Sequence, residues 1–171
     1  MKLFFNALLG NLVLNKGPQD IPFSNVLMRL SLLLYFISGL PGLLTTASFA
    51  NAVMAMALDV VVLLLFCYFC LQAFSKSARY VQTITALASV GAVFQLAVLP
   101  LLFDFQGAQD ATQGMLGLSL LLLMLVSWNL AVFAHIFKES FGIRLPAAMV
   151  ITICYVFITL LVRKIFFPEL A

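Results

Sequence analysis

Charge is what this chain has least of. Asp, Glu, Lys and Arg make up 9% of its 171 residues, against roughly 25% in a soluble globular domain. So few charges cannot solubilise a compact domain that is 64% hydrophobic. The scattered basic residues form no patch with interleaved aromatics, which excludes nucleic acid as a partner. Histidine occurs once, at His135. One imidazole cannot build a zinc site with cysteines that lie on other segments. Cysteine occurs three times. Cys67 and Cys70 have C-x-x-C spacing, which invites a redox or metal reading. In "FCYFCLQ", however, they sit among aromatic neighbours on one helix, where a thiolate is poorly solvated and thiols are inert. They read as packing or lipid-facing residues, as does Cys154. No nucleophile–base pair, glycine-rich phosphate loop or metal cluster can be assembled. The expectation is therefore a non-enzymatic protein with no catalytic residues, no metal and no cofactor.

What the chain has is long apolar runs. A helix needs about 20 mostly apolar residues to cross a bilayer. Five stretches qualify: 25–46, 51–74, 80–103, 114–137 and 145–167. Their separators "ASFAN", "SKSAR", "DFQGAQDATQ" and "KESFGIR" are short, so consecutive helices pack antiparallel. The expected fold is all-α: a polytopic membrane helix bundle of five transmembrane helices (residues 17–171), preceded by a short interfacial helix (residues 1–16). That leading segment is too short to span and is followed by no small-x-small cleavage site. Lys2, Asn6 and Gly10 give it a weak polar stripe. Gly17, Pro18 and Pro22 then break the helix. Pro41 marks a kink in span one.

Positive charge sorts by loop. Lys2 and Lys16 precede span one, and Arg29 lies near its start. Lys76 and Arg79 follow span two, and Lys138 and Arg144 follow span four. The other loops have none, and the one after span three carries Asp104 and Asp110. The positive-inside rule then places the N-terminus in the cytoplasm and the C-terminus outside, in a bacterial inner membrane. Arg163 and Lys164 fall on the wrong side and are expected to snorkel to lipid headgroups. Alternatively the fifth segment dips and returns. The cytoplasmic face comprises Lys16, Asp20, Arg29, Lys76, Arg79, His135, Lys138, Glu139 and Arg144. Arg29 can snorkel or pair with Glu139 or Asp20, and His135 reads as an interfacial anchor or a partner contact.

One carboxylate, Asp59, stands inside an apolar run, "MAMALDVVVLLLF". Its depth matches that of Gln95 on span three. Ala52, Ala55 and Asp59 share one helix face; Ala88, Gly91, Ala92 and Gln95 share another. Small residues permit close approach and polar residues then bridge. The expectation is a close span-two/span-three hairpin with an Asp59–Gln95 hydrogen bond and a neutral Asp59, since an isolated buried charge neutralises. Tyr35, Ser38, Ser89, Ser127, Trp128, Asn129, Thr152 and Tyr155 are the other mid-membrane polar residues; Asp59, Gln95, Asn129 and Tyr155 form the candidate polar core. Either Asp59 glues helices, or it is a proton or cation site.

The segment "SARYVQTITALASVGAVFQLAVLPLL" follows a basic loop and ends at a proline. "WNLAVFAHIFKESFGIRLPAAMVITICYVF" joins a span, a small polar loop with Gly142 and a last span. In pattern, residues 24–167 resemble the bacterial form of the Yip (Rab-GTPase-interacting) domain family. The resemblance implies a five-span bundle; eukaryotic members act as adaptors in vesicle traffic, and most bacterial ones have no assigned activity. The eukaryotic Asp-Leu-Tyr-Gly-Pro-like motif is absent, with only Gly17-Pro18-Gln19-Asp20 near its place, and no functional residue carries over. Two functions stay open. One is an adaptor or assembly subunit presenting its cytoplasmic face to a membrane or cytoplasmic protein, within the lipid bilayer and with homo-oligomers possible. The other is a small transporter or channel using Asp59. A lipid-handling or envelope-stress protein is a third reading that the residues do not separate from the first.

Overall fold

The computed structural model describes residues 2–107 and 112–167. Asp110 lies outside the described residues. Six helices follow one another: α1 (Lys2–Leu12), α2 (Asn25–Leu44), α3 (Phe49–Ala73), α4 (Tyr80–Gly107), α5 (Thr112–Phe141) and α6 (Leu145–Phe166). The described residues contain no strand. Helices α2 to α6 are long and apolar enough to cross a membrane. The protein is an all-α membrane helix bundle with one short leading helix.

The helix ends follow from local chemistry. Ser24 caps α2 by accepting the Leu27 N–H at 3.3 Å, satisfying one orphan donor. Asp20 accepts the Gly17 N–H at 3.0 Å, closing the turn at Pro18–Asp20 that separates α1 from α2. Helix α5 runs one turn further than expected. Lys138, Glu139 and Ser140 are helical, and the loop shrinks to three residues before α6. The cause is Gly142, whose φ of +71° lets both its own N–H and that of Ile143 return to the Lys138 carbonyl at 2.9 and 3.2 Å. A left-handed glycine is the usual stop for such a helix. Helix α6 is unbroken from Leu145 to Phe166, roughly 33 Å at 1.5 Å per residue. It is long enough to cross rather than dip and return. Proline does not stop α2 at Pro41 or α4 at Pro100.

Helix α4 is the hub. Residues 83 to 92 are buried without a break, so the helix is enclosed on every side, as a helix apolar all round must be. Its closest neighbour is α2. The Ser89 hydroxyl donates to Ser31 at 2.9 Å, and the Ser38 hydroxyl donates to Gln95 Oε1 at 2.6 Å. These contacts ascend together along both helices, so α2 and α4 run parallel. The expected span-two/span-three hairpin is thereby corrected: the Ala88–Gly91–Gln95 face meets span one. Glycine makes this possible. A Cβ on Gly91 would stand 2.7 Å from the Tyr35 ring, and one on Gly39 would stand 2.5 Å from the Met56 sulfur. By contrast, residues 116 to 128 of α5 are largely exposed, and nothing lies within 4 Å of where a Cβ would stand on Gly117.

Gly91→Ala drives a methyl group into a rigid ring and should cost about 1–3 kcal/mol by overpacking. Gly117→Ala should be neutral or stabilise by up to about 1 kcal/mol through helix propensity. Thermal unfolding in mild detergent separates the two, with a lowered Tm only for Gly91→Ala.

Candidate functional site within the bundle

Asp59 lies ten residues after the start of α3 at Phe49, roughly 15 Å along the axis. Its partner is not Gln95. The Arg163 guanidinium of α6 donates to Asp59 Oδ2 and forms an ion pair with it. Arg163 stands three residues before the end of α6, where a snorkelling arginine would turn outward. It turns inward because helical side chains lean toward the N-terminus of their own helix, and here that direction leads into the bundle toward a carboxylate. Two expectations fail on this point: Arg163 does not seek headgroups, and the partner of Asp59 is Arg163 rather than Gln95. The Asp59 side chain is 6% exposed and that of Arg163 24%.

Gln95 is engaged by Ser38 instead, but it stays at the site. Asp59, Arg163, Gln95, Asn129, Tyr155, Tyr35, Phe133 and Thr159 all line one cavity of about 260 Å³. The four polar residues singled out in the sequence, Asp59, Gln95, Asn129 and Tyr155, are thus brought together, from four different helices. A second cavity of about 400 Å³ joins it, since Gln95, Asn129, Val156 and Arg163 line both. Its remaining wall is mainly aliphatic, with Leu43, Leu99, Leu102, Leu125 and Leu130 from α2, α4 and α5. Arg163 Nε is buried with no partner. Below the cavity, Tyr155 packs against Phe66 and Phe133 at ring separations of 5.3 and 6.0 Å. Ser127 and Trp128 point away to the exposed surface. Thr152 is buried and donates to the Ala148 carbonyl at 2.9 Å.

The opposite end of the bundle holds the other candidates. Helix α1 docks there on α4 and α5, with Ala7 and Asn11 buried. His135 Nε2 lies 2.9 Å from the Lys16 carbonyl, so the imidazole ties down the segment after α1. Arg79 donates to the carbonyls of Glu139 and Ser140 at 2.7 and 3.3 Å, capping the end of α5 where a cation is favoured. Gln82 donates to the Ile21 carbonyl at 2.8 Å, and Lys138 pairs with Glu139 at 2.9 Å. Lys16, Asp20, Arg79, His135, Lys138 and Glu139 are therefore gathered at one end, largely in contacts within the chain. Arg29, Lys76 and Arg144 are exposed at that same end, and neither Glu139 nor Asp20 pairs with Arg29. Cys67, Cys70 and Cys154 are free thiols. The described residues offer no metal-binding group of His, Cys, Asp and Glu.

The residue missed in the sequence was Arg163. Its helix position lies nearer the membrane edge than Asp59, and only the reach of the side chain closes the gap. The available signal was charge: an acid inside one span and an arginine in the outer half of another. No family model matches the chain, and no curated protein or solved structure is significantly similar to it.

Removing one partner leaves the other as an uncompensated buried charge, which should cost about 3–5 kcal/mol. Arg163→Gln is expected to unfold at clearly lower temperature in detergent. The double substitution Asp59→Asn with Arg163→Gln should recover most of that loss, and a double-mutant cycle on Tm measures the coupling.

Proposed function

We propose that this protein is a non-enzymatic integral membrane protein of small-transporter type, with the Asp59–Arg163 pair as its binding centre. One observation carries the reading: the pair lines a cavity instead of being packed shut. A pair serving only to hold helices together needs no adjoining space. Ionisable residues inside a membrane span are functional candidates by default, and these two stand on different helices, α3 and α6. The positive-inside rule supports an orientation with the α1 end in the cytoplasm and the cavities in the outer half of the bilayer. A bacterial inner membrane is the setting that fits this arrangement.

A second reading rests on a separate observation. Lys76 and Arg144 are exposed beside the anchored α1 platform, a surface suited to an acidic partner. The adaptor function, to which the Yip-type resemblance belongs, would use that face.

Accessibility separates the readings. Asn129→Cys, in a background without reactive cysteines, is reconstituted in liposomes and treated with a membrane-impermeant thiosulfonate from each side in turn. A transporter requires labelling from both sides. Labelling from neither side reduces the pair to packing and favours the adaptor; labelling from one side only makes the cavity a dead-end pocket.

A further inference from the structure

The two joined cavities are unlike each other, and their contrast points to what they hold. The smaller has one cation and one carboxylate, with neutral amides beside them. The larger is mainly aliphatic and is bordered by α2, α4 and the middle of α5. We propose that the site binds a long-chain monocarboxylate, its head at Arg163 and its chain in the groove between α4 and α5. This rests on the reading that the cavity holds a ligand.

Donors that have no partner among the described residues lie beside the two cavities. Arg163 Nε is buried and unpaired. Asn129 lines both cavities, and its amide makes no hydrogen bond to the described residues. The Gln95 amide, held by Ser38 through its oxygen, has its nitrogen free. A cluster of donors with one guanidinium recognises an anionic oxygen pair, which arginine binds in a forked geometry. Asp59 already shows that a carboxylate fits against Arg163.

Charge limits the class further. The groups facing Asp59 are Tyr35 of α2 and Arg163 and Tyr155 of α6; α4 and α5 offer the neutral Gln95 and Asn129. With a single cation among them, a bound monoanion is balanced only if Asp59 releases Arg163 and takes a proton from water. The sum is then one arginine, one bound carboxylate and one neutral Asp59. A phosphate dianion would leave an uncompensated negative charge in a medium of low dielectric. The tail also has its place. Gly42 lines the groove, and a Cβ there would meet only Leu102, at 3.5 Å, so a larger side chain at this position fills the groove without striking the backbone.

The test uses the full chain in phosphatidylcholine nanodiscs and radiolabelled oleate, with monoolein as the uncharged counterpart and oleoyl lysophosphatidate as the phosphate counterpart. Wild type should bind oleate saturably and at least about tenfold more tightly than monoolein, the span that one good charged contact gives. Above the pH at which oleate itself is protonated, binding should tighten as pH falls, with Asp59 taking up the proton. Asp59→Asn should bind oleate more tightly than wild type and lose that pH dependence, because Arg163 has no competing carboxylate. The double variant Asp59→Asn/Arg163→Gln, which leaves no charge stranded, should bind oleate and monoolein alike. Gly42→Leu should weaken both. Equal affinity of wild type for oleate and monoolein, or preference for lysophosphatidate, overturns the monocarboxylate while leaving a ligand-holding cavity. Absence of saturable binding by any of the three overturns the amphiphile outright, and thiol labelling of Asn129→Cys from both sides would still stand for the transporter reading.

Discussion

A carboxylate and a guanidinium facing each other inside an apolar bundle set the terms for everything around them. Each ion alone is prohibitively costly at that depth, because moving an isolated charge out of water costs far more than any single packing contact returns. Paired, Asp59 and Arg163 become tolerable, but only in one register of α3 against α6. A slip of one residue on either helix swings a side chain by about 100° and strands both charges. The pair therefore fixes how the last helix docks. It also explains why Arg163 sits where it does, near the end of α6, yet points into the interior.

The rest of the bundle is organised so that this pair can exist beside open space. Helix α4 supplies the fixed frame. Its enclosed stretch from Thr83 to Ala92 is held to α2 by the Ser89–Ser31 hydrogen bond and by the close approach of Tyr35 that Gly91 permits. At the α1 end the polar groups answer one another across α1, α4 and α5, so that end is locked. Toward the other end two cavities lie between the helices, so packing contacts are fewer there than in a close-packed core.

Much of the architecture was legible in the sequence because length and hydropathy are strong, local signals. The five apolar runs became α2 to α6, and the four polar residues chosen for depth do line one cavity. What was not legible was which helix neighbours which. The stripe Ala88–Gly91–Gln95 announced a close contact without naming its partner, and the nearest helix in sequence was the wrong choice. A small-residue face is complementary to any bulky one, and Tyr35 on α2 filled it. Arg163 was misplaced for a related reason. Depth counted along a helix locates the Cα, whereas a long side chain leaning along its own axis carries its charge well away from there. The end of α5 was set by Gly142, whose left-handed backbone governs the stop more closely than the polarity of "KES" does.

Stability alone gives no reason for such a pair. Replacing a buried ion pair with apolar residues of similar size is often neutral or stabilising, and a bundle this rich in leucine and alanine has ample material to do so. Nor does the pair close the core; it borders a void shared with Asn129 and Gln95, whose amides are only partly used. A void lined by polar groups weakens packing and leaves hydrogen-bonding capacity unfilled, two costs that a purely structural bridge would avoid. Both costs vanish when a molecule with a charged head and an apolar body occupies the space, since it meets the free donors and restores the missing contacts at once. On the function proposed above, the site is a binding centre whose resting state is held by its own internal carboxylate, Asp59 standing at Arg163 in the place that an incoming carboxylate would take.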